Sequence, residues 1–382
     1  MEKRLYSTIA ILGLLDLFLA VPILSKNTQI LASTTDTRAS VFNLPETLEM
    51  LIFISPQYAK DKEIRSSIDD YTEAVKKDVN WKTKIIPINP DDNNFKKIDQ
   101  IIEKYYLQYK IKACIMVGED IDTALAGDSD YIEKPSIIPW ATIGGETSYE
   151  ISTQGVVSKP YPADICISLL YPTHYLDYKE KKSQIIYAFN KLCIDRQSYF
   201  IEEILAFESS DINKNSKEIY QKLAENTNFN YIENPSAKQL KMSLNKPYSI
   251  YFVHGHSNPS RTNINAHDKL WFCADTVDYL NTPFFGADGC YVNGWWSEQI
   301  DNNHLDSSIE CSWYGSKIFS SKYIKIMVLG LLSQNGFSQP VSFIENAMPD
   351  ILNGKTIAES IVGKIYSGNT IIIGDPAFHF VF

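Results

Sequence analysis

The chain has 382 residues, of which 44% are hydrophobic, 12% aromatic and 21% charged, a composition that suits a globular protein with one large core or two modest ones. Its formal net charge of −10 argues against a nucleic-acid-binding surface, because phosphate binding requires clustered Lys and Arg. Peptides or small molecules are therefore the expected partners.

The N-terminus combines a short basic start with an apolar run from Thr8 to Leu24. This order is typical of a secretory signal peptide or a signal anchor, so residues 1–26 are assigned to that segment and residues 27–46 to a linker. Asp16 interrupts the run, and the alternative is a buried helix of the domain. We expect an extracytoplasmic protein, either secreted or tethered to the membrane through this segment alone.

Strand and helix patterns alternate from residue 46 onward. They run strand, helix, strand, helix, strand through TLEMLIFISP, YAKDKEIRSSIDDYTEAVKKD, KTKIIPIN, NFKKIDQIIEKYYLQY and KACIMVGED. After a loop over residues 120–162, DICISLLYP predicts a strand, and residues 179–196 predict a long helix. Helical crossovers of this length predict a mostly parallel sheet that is covered by helices.

A second round of the same pattern starts near Tyr199. Its predicted strands are SIYFV, TPFFGAD, YIKIMVLGLLS and NTIIIGDP, and its predicted helices are NKNSKEIYQKLAENT, DTVDYLN and residues 340–366. The stretch IEEILAFES fits either a helix or a buried strand. The expected fold class is α/β, with mostly parallel sheets flanked by helices in two subdomains of similar architecture, residues 47–197 and residues 198–382.

The six cysteines include no close-spaced pair such as CxxC, so a finger-type zinc site is not expected. Cys114 and Cys166 lie inside apolar strand patterns, where small buried thiols are common. Cys273 and Cys311 lie in less regular sequence and are able to pair.

Two strand ends carry side chains suited to catalysis. SIYFV runs into His254 and Gly255, and TPFFGAD is followed by Gly289 and Cys290. Because the carboxyl ends of parallel strands face one crevice, we expect His254 and Cys290 to meet there. A histidine beside a cysteine lowers the pKa of the thiol and later protonates the leaving amine, as thiolate catalysis requires.

The stretches YFVHGHS and GADGCYVNGWW resemble the gingipain family of cysteine peptidases, relatives of caspases, legumains and clostripain. The opening LIFISPQYAKDKEIRSSIDDYTEAV and the terminal IIIGDPAFHF are similar to the same family, so the resemblance covers about residues 48–382. It implies a caspase-like fold and an endopeptidase that works through a thioester. Cys290 would be the nucleophile and His254 the general acid and base, with the N–H groups of Gly255 and Cys290 as the oxyanion hole.

The resemblance also implies further site residues. Asp164 would orient His254 in a Cys-His-Asp triad, although a Cys-His dyad stays open. Asp177 lies in the region of the family's specificity residue. We also assign His256, Trp295 and Trp296 to substrate binding. No cofactor is expected, and the structural calcium known in the family cannot be located from this sequence.

Two other readings stay open. His254, His256, His267 and Cys273 lie within 20 residues and could serve a zinc-dependent hydrolase, although this leaves Cys290 unexplained. Alternatively, the chain is an exported binding or adhesion module that keeps the peptidase fold with an inactive site. The unusual Asp288 and Gly289 before Cys290 motivate this second alternative.

Overall fold

The structure is a computed structural model, and it describes residues 47–126, 134–144, 149–152, 155–158, 162–173, 175–212, 216–224, 227–289, 292, 313–330, 340–365 and 370–381. The predicted N-terminal segment and linker, residues 1–46, lie outside the described residues. Among the helices that are described, none combines the length and the apolar character that crossing a membrane requires.

A ten-stranded sheet runs through the described part of the chain. Its first four strands come from the first half of the sequence, namely β1 Met50–Ile54, β2 Thr83–Pro87, β3 Ala113–Val117 and β8 Cys166–Leu170. The other six come from the second half, namely β9 Ile204–Glu208, β10 Phe229–Glu233, β11 Ile250–His254, β15 Phe284–Asp288, β16 Ile326–Leu329 and β17 Ile371–Gly374.

Two smaller sheets lie in connections of the main sheet. One has four strands, β4 Ala124–Ala126, β5 Lys134–Ser136, β6 Tyr149–Ser152 and β7 Gly155–Ser158. The other has three antiparallel strands, β12 His256–Asn258, β13 Arg261–Asn265 and β14 Leu270–Cys273, and it directly follows β11.

Helices occupy most of the remaining connections. In the first half they are α1 Lys62–Val79, α2 Phe95–Tyr109, α3 Ile138–Ala141 and α4 Tyr178–Cys193. In the second half they are α5 Ser216–Ala224, α6 Ala237–Ser243, α7 Pro340–Asn346, α8 Met348–Ile351 and α9 Ile357–Ile361. Helix α1 packs against α4, and α5 packs against α7.

The strand directions divide the main sheet into two groups. The order is β10-β9-β11-β15-β16-β17-β8-β3-β1-β2, and the described neighbours are parallel except β16 and β17. The five strands from β10 to β16 therefore run opposite to the five from β17 to β2. Consequently, the carboxyl ends of β9, β11 and β15 share one edge of the sheet.

Local sequence explains why these elements form. Strands β1, β3, β8, β9 and β11 are buried along their whole length, which fits their continuous apolar sequences. Helix α1 begins at a cap in which the Asp61 carboxylate accepts the N–H groups of Glu63 and Ile64. It ends at Asn80, whose left-handed φ of 57° closes the last turn.

The structure confirms the predicted α/β class with a large, mostly parallel sheet flanked by helices. IEEILAFES contains strand β9 and no helix, and the loop predicted over residues 120–162 contains the four-stranded sheet. DTVDYLN lies in a 3-10 helix, Ala274–Tyr279. The described strands of both halves join one sheet, so the division into residues 47–197 and 198–382 stays a prediction.

A buried ion network attaches the end of the chain to the helical layer. Arg196, which follows α4, donates from Nε to Asp78 Oδ2 at 2.9 Å and from Nη1 to Asp375 Oδ2. The Tyr71 hydroxyl donates to the other oxygen of Asp375 at 2.5 Å, and His379 Nε2 lies 3.1 Å from Asp78 Oδ1. The network therefore joins α1, the end of α4 and the segment after β17.

We predict that Arg196→Gln strongly destabilises the protein. The substitution leaves the carboxylates of Asp78 and Asp375 buried without their cation, which costs about 3–5 kcal/mol. Urea unfolding measures this loss in the free energy of unfolding. The matched control is Lys76→Gln, which breaks an exposed ion pair with Glu73 and should cost less than about 0.5 kcal/mol. Equal losses in the two variants would contradict the assigned role.

Candidate active site

A buried histidine and a buried glutamate pair at the carboxyl edge of the sheet. His254 ends β11 and Glu208 ends β9, and the two residues are register partners in adjacent parallel strands. His254 Nδ1 lies 3.0 Å from Glu208 Oε2, and the two side chains are 1% and 2% exposed. A carboxylate at this distance accepts the Nδ1 proton, which fixes the tautomer and orientation of the imidazole.

A third ionisable residue stands in the same row. Asp288 ends β15 and is the register partner of His254 on the side away from Glu208. Register partners in a parallel sheet project from the same face, so Glu208, His254 and Asp288 form a row across three strands. Two carboxylates therefore flank one imidazole.

The row raises the pKa of His254. Burial lowers the pKa of the imidazole, but the hydrogen bond from Glu208 and the charges of Asp288, Glu208 and Asp211 outweigh this effect. Burial also raises the pKa of Asp288 to about 6, against the opposing influence of the His254 charge. The raised pKa extends to higher pH the range in which the imidazole is protonated, which is the form that stabilises a neighbouring thiolate.

Gly255 and Gly289 are required because backbone segments approach one another closely here. A Cβ on Gly255 would lie 1.7 Å from the carbonyl oxygen of Asn263. A Cβ on Gly289, where φ is 156°, would lie 2.1 Å from Ser257 Oγ and 2.2 Å from Gly255 O. The three-stranded sheet thus packs directly over the ends of β11 and β15.

The structure gives the Gly255 N–H a partner that the sequence did not suggest. This N–H donates to the carbonyl oxygen of Asp288 at 3.2 Å, which extends the ladder between β11 and β15. The predicted role of Gly255 in an oxyanion hole therefore requires that this hydrogen bond be given up when substrate binds.

His256 is exposed, whereas His254 is buried. It is the first residue of β12, its side chain is 62% exposed, and its Nε2 lies 3.5 Å from Asp211 Oδ2. Of the two neighbouring histidines, His254 is the one whose ring contacts a buried carboxylate. This placement is consistent with His256 as a surface residue near the site.

Asp164 does not lie beside His254. Its carboxylate accepts the N–H of Ile143 at 2.8 Å, just before β8 begins. In the sheet order β8 stands four strands from β11, which corresponds to about 19 Å. The structure therefore corrects the expectation that Asp164 orients the imidazole, because the carboxylate in contact with His254 belongs to Glu208.

Asp177 has a local structural role. It is the N-cap of α4, where its side chain accepts the Glu180 N–H at 2.8 Å and the Glu180 side chain accepts the Asp177 N–H. This capping box engages the carboxylate that the resemblance assigned to substrate specificity. Cys290, Trp295 and Trp296 lie outside the described residues. After β15, the last residue described in this segment before Cys290 is Gly289.

The zinc alternative does not fit the described geometry. Cys273 forms a disulfide with a partner outside the described residues, so its sulfur cannot bind zinc. His267 is exposed in the turn between β13 and β14, whereas His254 is buried against Glu208. Among the described His, Cys, Asp and Glu side chains, no group of three or more could hold a metal ion. Cys114, Cys166 and Cys193 are free thiols.

Sequence reasoning missed Glu208, although a signal was present. The segment ILAFE is an apolar run that ends on an acidic residue, the same pattern as FFGAD before Cys290. Reading IEEILAFES as a strand would have placed Glu208 at the same sheet edge as His254. Its position directly beside β11 depends on strand order, which the local pattern does not contain.

Comparison with known proteins supports the fold. A solved protease structure matches with a TM-score of 0.56 and 11% identity, covering 87% of this chain and 78% of its own. A periplasmic solute-binding protein from Actinobacillus succinogenes with bound D-allose has 11% identity but a TM-score of 0.21, covering 85% of this chain and 97% of its own. No protein-family model and no curated protein matches. The likeness to the protease therefore shows a shared fold alone.

We predict that Glu208→Gln lowers the pKa of His254, because the amide no longer stabilises the imidazolium. The measurement is the pH titration of the His254 ring by two-dimensional NMR. The matched control is Asp164→Asn, which should leave the titration midpoint of His254 unchanged. A shift with Asp164→Asn and none with Glu208→Gln would restore the sequence-based assignment.

Proposed function

We propose that the protein is an exported cysteine-type endopeptidase in which Cys290 is the nucleophile, His254 the general acid and base, and Glu208 the group that orients His254. The observation that carries this proposal is the buried hydrogen bond between His254 and Glu208 at the carboxyl end of β11. Strand β15 lies beside β11 and ends at Asp288, and Gly289 and Cys290 are the next two residues in the chain.

The proposed reaction has two steps. In the first, the Cys290 thiolate attacks the carbonyl carbon of a peptide bond, and the imidazolium of His254 gives a proton to the leaving amine. A thioester and a free amine result. In the second, His254 removes a proton from water, the resulting hydroxide attacks the thioester, and the carboxylic acid product leaves as Cys290 is regenerated. The substrates are peptides or proteins, and no cofactor takes part.

Glu208 supports both steps through His254. Its carboxylate binds Nδ1 and therefore directs Nε2, the other ring nitrogen, toward the reacting groups. Its negative charge stabilises the imidazolium that accompanies the thiolate. The effect is strong because both side chains are almost fully excluded from water.

Export is part of the proposal. The basic start and apolar run of residues 1–26 support it, and the disulfide at Cys273 fits an oxidising compartment. A nucleophile must be a free thiol. If the Cys273 disulfide lies within one chain, the proposal requires Cys311 to be its partner, because Cys114, Cys166 and Cys193 are free.

A second candidate is an exported binding module with the peptidase fold and no turnover. Two observations favour it, the 1% exposure of His254 and the Asp288 carbonyl that occupies the Gly255 N–H. Alkylation by iodoacetamide without reductant separates the candidates. The peptidase should be labelled at Cys290 near neutral pH, whereas the buried thiols of Cys114 and Cys166 should not react. Absence of labelling at Cys290 would favour the binding module.

We predict that Cys290→Ala abolishes peptide hydrolysis and leaves the unfolding midpoint unchanged. A library of fluorogenic peptides measures hydrolysis, and circular dichroism reports the fold. The matched control is Cys193→Ala, which removes a half-buried free thiol at the end of α4 and should retain activity. Wild-type turnover in the Cys290→Ala protein would exclude Cys290 as the nucleophile.

We also predict different effects for the two neighbouring histidines. His254→Ala should lower kcat/KM by at least about 1,000-fold, because it removes the acid and base of both steps. His256→Ala should change it by less than about ten-fold, since His256 is 62% exposed and pairs only weakly with Asp211. Steady-state kinetics measure both values, and the reverse ranking would assign the catalytic role to His256.

A further inference from the structure

Asp288 has no role in the proposed reaction, although it lies beside the imidazole that performs it. It is the register partner of His254 in the adjacent strand and the second residue before Cys290. Glu208 and Asp288 thus approach His254 from the two neighbouring strands, β9 and β15. Glu208 Oε2 lies 3.0 Å from Nδ1 of the ring.

The Asp288 carboxyl group lies in surroundings that do not stabilise it. A purely structural role therefore does not explain why an aspartate stands at this position. Its Oδ2 is buried and has no hydrogen-bond partner among the described residues. It faces a cavity of about 20 Å³ that His254 also lines, with Phe252, Val328 and Phe343 as apolar walls. A buried, unpaired carboxyl oxygen is costly, and an apolar side chain would fill this space better.

The backbone makes room for this carboxyl group. A Cβ on Gly330 would lie 2.0 Å from Asp288 Oδ1, so any larger residue at the end of β16 would displace the carboxyl group. Gly330 N–H donates to Ala287 O at 2.9 Å, which holds the two segments together. The absence of a side chain at Gly330 therefore leaves the space that the Asp288 carboxyl group occupies.

Asp288 changes charge in the pH range in which a histidine does. Burial raises its pKa to about 6, and the His254 charge and the Gly289 N–H act in the opposite direction. Among the described residues, the other ionisable groups near Asp288 and His254 are Glu208, Asp211, Tyr220 and Tyr231, and His256 is paired with Asp211. Both tyrosines have pKa values raised by burial, so they stay neutral near pH 6. Burial thus keeps the Asp288 carboxyl group protonated to a higher pH than an ordinary aspartate.

We propose that Asp288 is a second positioning residue of the active site, whose ionised carboxylate holds His254 in its protonated form and whose protonation withdraws that support. This inference rests on the proposed peptidase function for its catalytic consequence. The charge coupling between Asp288 and His254 can be tested without turnover.

The sign of the effect follows from charge. An ionised Asp288 favours the imidazolium and raises the pKa of His254, so Asp288→Asn should lower that pKa. The pH range in which the imidazolium and the thiolate coexist then ends at a lower pH. The alkaline limb of the pH profile of kcat/KM should therefore move to lower pH. Glu208 still orients the ring in this variant, so the maximal rate should fall less than it does in Glu208→Gln.

The first experiment uses the full chain with Cys290→Ala, in which no turnover occurs. NMR titration should give a His254 midpoint that falls by roughly one pH unit when Asp288→Asn is added. Adding Asp164→Asn instead is the matched control and should leave the midpoint in place. His254→Gln identifies the resonance by its loss. An unchanged midpoint with Asp288→Asn overturns the proposal.

A second experiment needs no substitution at Asp288. In the Cys290→Ala protein that retains Asp288, the NMR chemical shifts of the His254 ring should show an additional inflection near pH 6, where Asp288 ionises. A single inflection would overturn the proposal even if Asp288→Asn failed to fold.

If the NMR results agree with the coupling but no peptide is hydrolysed, the proposed function fails and the charge coupling stands. If hydrolysis occurs with an unshifted alkaline limb in Asp288→Asn, the function stands and this inference fails.

Discussion

The parallel pairing of β9, β11 and β15 is the constraint on which the site depends. Each strand is an apolar, buried run that ends on an ionisable residue, namely Glu208, His254 or Asp288. The register aligns these three residues, so a change of one residue in the pairing would send the histidine to the opposite face. The hydrogen bond between His254 and Glu208 is therefore a consequence of sheet packing, and it makes the burial of an imidazole tolerable.

The three-stranded sheet after β11 completes this environment. Its backbone passes so close to the strand ends that Gly255 and Gly289 have no room for a side chain. On the buried side of this sheet, Thr262 and Phe272 are fully covered. The Tyr314 hydroxyl donates to the carbonyl oxygen of Phe272 at 2.8 Å, and Thr262 Oγ1 lies 3.1 Å from the same hydroxyl. Glu208 and His254 are almost fully excluded from water, which strengthens the interaction between their charges.

The fold and the site carry different kinds of information. The described chain shares its architecture with a protease of 11% identity, and one architecture can serve unrelated functions. Support for the proposed hydrolysis comes from particular residues, above all from a histidine held by a glutamate beside the strand that leads to Cys290. Asp288 is the part of this arrangement with the least obvious structural purpose, which makes it informative about how the charge on His254 is controlled.

Much of this protein could be predicted from local patterns. Apolar runs located β1, β3, β8, β11 and β15, three- and four-residue spacing located α1 and α2, and glycine next to His254 marked a special strand end. Buried thiols were also predictable, since Cys114 and Cys166 lie within apolar strands. These features depend on residues close together in the sequence, so the sequence contains them directly.

The neighbours of His254 could not be found in that way. Asp164 and Glu208 are both acidic residues next to apolar strands, and only the strand order separates them. That order arises from packing between segments far apart in the chain, including the pairing of β17 with β8 and β16 that reverses the sheet direction. The sequence by itself determined the kind of fold and the strand end at which His254 lies. Only the tertiary structure decided which carboxylates surround that histidine, because register and strand order are set by the core as a whole.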